Sequence, residues 1–161
     1  MRKSLWISLL VLIALLAVAA TALAVHAPGG VIITNIQRGI LAEAVQSDNV
    51  AHGVDLKTKG PVDVVTAEVT FQMGGGSAGW HKHPGSVFVV IRSGTLAVWD
   101  QHCVKTTYSV GSAFFETGPG HSMLVKNESA TVDATVYATF IVPVGAAPLT
   151  ITTEHRCGIE G

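Results

Sequence analysis

The sequence predicts an all-β domain, a sandwich or barrel of antiparallel strands. Three observations point there. Asp63–Phe71 and Thr131–Val142 alternate apolar and polar residues with a period of two, the pattern of a strand with one buried face. Between and around them run short apolar segments separated by clusters of Gly, Pro, Asn and Ser, which are turn formers. No segment in the same region carries a sustained helical period of apolar residues. Many short strands punctuated by Gly-rich turns close most simply by antiparallel pairing into two packed sheets or a barrel.

Taken in order, Val31–Thr34 and Ile40–Val45 are two short strand candidates; Leu41–Val45 also suits a helical turn, because Ala and Glu favour helix. In Asp63–Phe71 the side chains of Val65, Ala67, Val69 and Phe71 share one face. Gly74-Gly75-Gly76-Ser77 breaks the chain. Val87–Ile91 reads as a buried strand, and Ser86–Ile91 with Thr95–Asp100 makes a hairpin across Arg92-Ser93-Gly94. Thr106–Tyr108 and Ser112–Glu116 flank Val110-Gly111. After Thr117-Gly118-Pro119-Gly120 comes His121–Lys126, and a turn at Asn127-Glu128-Ser129, which also matches a glycosylation sequon. Val132, Ala134, Val136, Ala138, Phe140 and Val142 line one side of the longest strand. Pro143 lacks the N–H that a ladder needs and ends it. Leu149–Thr153 is a closing strand candidate. Phe114, Phe115, Tyr137 and Phe140 are core candidates.

The N-terminus stands apart. Arg2 and Lys3 precede the apolar stretch Leu5–Ala20, and Thr21-Ala22-Leu23-Ala24 supplies small residues where a signal peptidase cuts. We read residues 1–24 as a signal peptide and 25–161 as one domain that is exported to the periplasm or outside the cell; an uncleaved anchor from Leu5 to Val25 is the rival reading. Without Arg2 and Lys3, eight of the 10 basic residues remain against 11 acidic ones. This mildly acidic balance, with no basic cluster, argues against a nucleic-acid partner. After cleavage nothing in the chain calls for membrane insertion. An exported chain with two cysteines, Cys103 and Cys157, is expected to join them in a disulfide that ties down the C-terminal tail. No nucleophilic triad or phosphate-binding loop is present.

The segment Gly79-Trp80-His81-Lys82-His83-Pro84-Gly85 carries the chemistry. Two histidines two residues apart on extended backbone project from one face, so their imidazoles can converge on a metal ion. Metal sites usually take three or four protein ligands. His121, which opens the strand after Gly118-Pro119-Gly120, is the candidate third. Glu116 is a candidate oxygen ligand or proton acceptor. Trp80 suits either the wall of a pocket or an anchor in the core. His26, His52, His102 and His155 sit in turn-like or terminal contexts.

At these residues the chain resembles the cupin superfamily, in the manner of a small single-domain cupin of the cupin 2 type. Gly79 to Gly94 resembles the first cupin signature, with His81 and His83 at the motif histidines and Gly94 at the closing glycine; Val87 stands where the motif glutamate belongs. Gly111 to Asn127 resembles the second signature; counting back from Asn127 lands on Met123, with His121 two residues earlier on the same strand face, displaced by about 6.5 Å of backbone. The resemblance covers most of residues 63–142. It implies a cupin-like double-stranded β-helix, a jelly-roll barrel, holding a divalent metal (Zn, Fe, Mn, Ni or Cu) through His81, His83 and His121. Such a protein binds a small polar or anionic molecule; alternatively it is a metal-dependent oxygenase or isomerase with Glu116 as base, or a cupin that has lost its metal. Pairing into a homodimer is a further implication.

Overall fold

A computed structural model of the chain describes residues 25–27, 29–49, 53–151 and 157–159. The expected leader at 1–24, His52 and His155 lie outside the described residues. The described part is all β. Thirteen strands run β1 Val25–Ala27, β2 Val31–Leu41, β3 Gln46–Asn49, β4 Val54–Lys57, β5 Val62–Phe71, β6 Ser77–Lys82, β7 Ser86–Ser93, β8 Thr95–Trp99, β9 Lys105–Ser109, β10 Ala113–Glu116, β11 Met123–Lys126, β12 Ala134–Pro143 and β13 Thr150–Ile151. One sheet has the order β1-β2-β5-β12-β7-β10, a second β13-β6-β11-β8-β9, and β3-β4 form a separate hairpin. Every pairing is antiparallel. This is the double-stranded β-helix that the motifs imply.

The core lies between the two large sheets. Val65, Ala67, Val69 and Phe71 of β5 and Ala134, Val136, Ala138, Phe140 and Val142 of β12 face inward together, because the strands pair in register from Ala134 opposite Phe71 to Pro143 opposite Val62. Leu96, Val98 and Val125 close the core from the second sheet. That sheet is also covered outside: Trp80, Ala97, Trp99 and Leu124 cluster under Cys157 and Ile159. Cys103 and Cys157 are joined as a disulfide, with Cα atoms 5.6 Å apart. The Trp80 indole donates to the Ile159 carbonyl at 3.1 Å. Trp80 therefore anchors the tail and does not wall the cavity.

Several elements differ from the sequence reading, each for a local reason. Val31–Thr34 and Ile40–Leu41 are halves of one strand, β2, whose register with β5 shifts between Thr34 and Gln37. Asn35 sits in the bulge with φ of 52°, a conformation Asn tolerates better than most residues. Residues 42–45 form neither strand nor helix. The hairpin β3-β4 is too short and polar to show a pattern. Residues 77–82, beyond the glycine-rich break, form a full strand. Val87–Ile91 is buried on one face only: Phe88 and Val90 point outward and are about half exposed, as are Phe115 and Tyr137. These four are not core residues; they cover the outer face of β10-β7-β12, and the Phe88 and Phe115 rings lie 4.9 Å apart. Val132 falls outside β12 and is exposed. Residues 121–122 lie ahead of β11, which begins at Met123.

Two glycines fix the paths around the histidines. A Cβ on Gly85 would lie 1.9 Å from the Ile141 carbonyl oxygen, so only glycine lets β7 start this close to β12. Gly94 turns β7 into β8 with φ of 73°, and a Cβ there would meet the Asp133 carbonyl at 2.5 Å. Asn127 is fully buried. Its side-chain amide donates to the carbonyls of Phe71 and Val132, and its oxygen accepts from the Ser129 N–H. The sequon match is thus a turn device with no amide free for a glycan.

Candidate metal centre

The structure brings His81, His83 and Glu116 together. β6 delivers His81, the residue just beyond it is His83, and β10 ends on Glu116. One ligand atom from each lies within 4.8 Å of the other two, and all three residues are buried, at 3%, 5% and 5% exposure. The rings stand edge to face with centroids 4.9 Å apart, and Phe140 packs on His83. His121 stands outside the group. It is exposed, in the turn where its backbone N–H donates to the Gly118 carbonyl. Counting along the strand put it near the pair; the strand in fact begins later, and its first residue, Met123, lies opposite His81.

The origin of the carboxylate is a matter of register. Val87 occupies the place where the motif glutamate belongs, and Glu116 is its Cα partner across the β7-β10 ladder. Directly opposed residues point to the same face, and both line the same cavity. The carboxylate missing from β7 is therefore supplied by the neighbouring strand. The sequence signal was present, since Glu116 ends an alternating segment, but nothing local says which strand lies beside β10.

Hydrogen bonding decides the tautomers. His81 Nδ1 lies 2.8 Å from the Gly79 carbonyl oxygen and His83 Nδ1 lies 2.6 Å from that of Pro148. A carbonyl can only accept, so both Nδ1 atoms carry the proton and donate. In a neutral ring Nε2 then presents a lone pair, and both Nε2 atoms face the same Glu116 oxygen, Oε2, at 3.2 and 2.9 Å. Two lone pairs and a carboxylate converging in a buried pocket require a cation between them, either protons or a metal. With protons the balance is clear. Burial pushes the Glu116 carboxyl up, but hydrogen bonds and charge from His81 and His83 outweigh it and hold its pKa at about 2. Burial would depress the His81 imidazole, yet Glu116 and the Gly79 carbonyl raise it above its ordinary value. A carboxylate held this low is a poor proton acceptor at neutral pH.

The donor set fits a divalent metal. Two imidazole nitrogens oriented by backbone carbonyls and one carboxylate oxygen make three protein ligands with positions left open. Apart from these three, the described residues lining the adjoining cavity are apolar, among them Val31, Ile33, Val65, Phe114, Phe140 and Leu149; its volume is about 140 Å³. This departs from the expected polar or anionic ligand. That expectation followed from a site without a carboxylate, and Glu116 cancels part of the charge that would attract an anion.

No family model and no curated protein matches the sequence. Solved structures do. The polyketide cyclase RemF from Streptomyces resistomycificus aligns with a TM-score of 0.52 at 13% identity, over 82% of this chain and 79% of that one. A cupin-like protein from Thermotoga maritima aligns at 0.48 and 11% identity, over 76% and 75%. The DMSP lyase DddQ from Ruegeria pomeroyi aligns at 0.48 and 13%, over 55% of this chain and 43% of that one, so the chain spans less than half of that lyase. At these identities the likeness speaks to fold alone. The fold that this chain shares with the cyclase is the two-sheet antiparallel barrel described above.

Proposed function

We propose that the chain is an exported cupin, residues 1–24 being a cleaved leader and 25–161 the barrel, that holds a divalent metal through His81, His83 and Glu116 and takes a small, largely apolar molecule beside it. One observation carries the metal assignment: both Nδ1 protons are committed to carbonyls, which turns two Nε2 lone pairs onto one carboxylate oxygen. The cavity supports the ligand class. Its wall is hydrocarbon apart from the metal ligands, and an apolar cavity of about 150 Å³ is enough to take a benzene-sized molecule. The disulfide suits an oxidising compartment.

A metal-dependent oxygenase or isomerase is the second reading, favoured by the count of three protein ligands, which leaves positions for substrate or oxygen. Oxygen uptake with a panel of small cyclic and aliphatic substrates separates it from simple binding. Elemental analysis tests the site itself. The purified protein should carry about one divalent metal per chain, lost in His81→Ala and in His83→Ala but retained in His121→Ala. A metal-free protein, or loss of metal in His121→Ala with retention in the other two, overturns the assignment.

A further inference from the structure

We propose that Ser77 is a positioning residue for His81: its hydroxyl latches a bulge in β6, and the latched bulge turns the imidazole inward and fixes which nitrogen it offers. The inference rests on the metal reading above and deepens it. The bulge shows in the pairing of β6 with β11. Leu124 lies opposite Trp80 and Lys126 opposite Ser77, so Ala78 and Gly79 together face the single residue Val125. Residues three apart on an unbroken strand point to opposite faces, yet Ala78 and His81 both line the cavity. The extra residue resets the alternation. Without it β6 could turn Ala78 or His81 inward, but not both.

Gly79 absorbs the change of path with φ of 69°, in the left-handed region that glycine enters freely. The bulge also re-aims its carbonyl. In a regular strand the carbonyls lie along the sheet and the side chains stand out of it; here His81 Nδ1 reaches the carbonyl two residues back in its own strand, at 2.8 Å. One side chain holds that geometry from two directions. The Gly79 N–H donates to Ser77 Oγ at 3.0 Å, and the Ser77 hydroxyl donates to the Val125 carbonyl at 3.1 Å. Only a group that accepts and donates at once can clasp the bulge in this way, and a hydroxyl is such a group. Ser77 is itself fixed: it is 1% exposed, and its backbone N–H donates to the Gly29 carbonyl at 2.7 Å. The contacts therefore run from β11 through Ser77 and Gly79 to the Nδ1 proton that leaves Nε2 for the metal. His83 is oriented separately, by the Pro148 carbonyl.

The separate anchoring of the two rings supplies an internal control. In the metal-free full chain, Ser77→Ala should speed solvent exchange of the His81 Nδ1 proton, followed by NMR, about tenfold, the weight of one ordinary hydrogen bond, while the His83 Nδ1 proton keeps its native rate. Zn(II) affinity, measured by chelator competition, should fall about tenfold, as when a partner that orients a metal ligand is lost. Gly79→Ala perturbs the same link independently. Its added Cβ would meet nothing within 4 Å, so it acts through the backbone alone and should reproduce the selective effect on His81. With both substitutions the loss should be no greater than the larger single loss, because coupled residues are not additive. Unchanged His81 exchange in the two single variants, equal acceleration at His81 and His83, or additive losses in the double variant overturns the proposal. If the native protein takes no Zn(II), the metal reading falls, and the two exchange rates still decide whether Ser77 positions His81.

Discussion

Replacing Glu116 with Gln keeps the shape of the side chain and removes its charge, so it isolates what the carboxylate contributes. In the metal-free protein the Glu116 carboxyl is held from its ordinary 4.5 down to about 2. At 1.36 kcal/mol for each unit of pKa, that displacement amounts to about 3 kcal/mol of folding stability. For a domain of this size the loss lowers Tm by about 10 °C. The sign in pH follows from the depressed pKa: the contribution is complete above 4.5 and disappears as pH falls through about 2. The difference between native protein and Glu116→Gln, measured by urea unfolding after chelation, should therefore be full at pH 6 and shrink steadily below pH 4.5. Metal adds a second readout. A ligand present at a hundred times its Kd stabilises the native state by about 2.7 kcal/mol; the native protein should show that gain and Glu116→Gln little of it. Equal metal-induced stabilisation in the two proteins would refute Glu116 as a ligand. An unfolding difference that does not change with pH would refute the ion-pair account.

Two further outcomes follow from the fold. Asn127→Ala leaves the carbonyls of Phe71 and Val132 without their donor and empties a buried site; it should cost about 3 kcal/mol in urea unfolding, with metal content unchanged. Removing the disulfide by Cys103→Ser with Cys157→Ser, which opens a loop spanning 54 residues of sequence, should cost about 4 kcal/mol; equal Tm with and without reductant would show that the tail contributes nothing.

The Glu116 case also shows how far residues speak for themselves. Alternation in 63–71 and 131–142 is a property of the chain alone, because side chains on extended backbone must point to opposite faces in turn; Val132, which precedes β12, is the exception to it. It marked the inner faces of β5 and β12 residue by residue. The same local geometry placed His81 and His83 on one face, and the two cysteines admitted one pairing between them. Phe88, Phe115 and Tyr137 were harder. An apolar residue on a strand belongs to the core only if a second sheet covers that face, and among the described residues nothing covers the outer face of β7, where Phe88 and Val90 are about half exposed.

What only the tertiary structure decided is which strand lies beside which. Glu116 faces Val87 across 29 residues of sequence and Met123 faces His81 across 42. A motif counted along one strand cannot register a donor that has crossed to the next. Whether His121 reached the pair depended on where β11 began, and that was set by its pairing with β6 and β8 and by no residue of its own. Strand identity is written in short-range periodicity, whereas a ligand set is assembled by long-range hydrogen-bonded register; the chain specified the first directly and the second only through the fold.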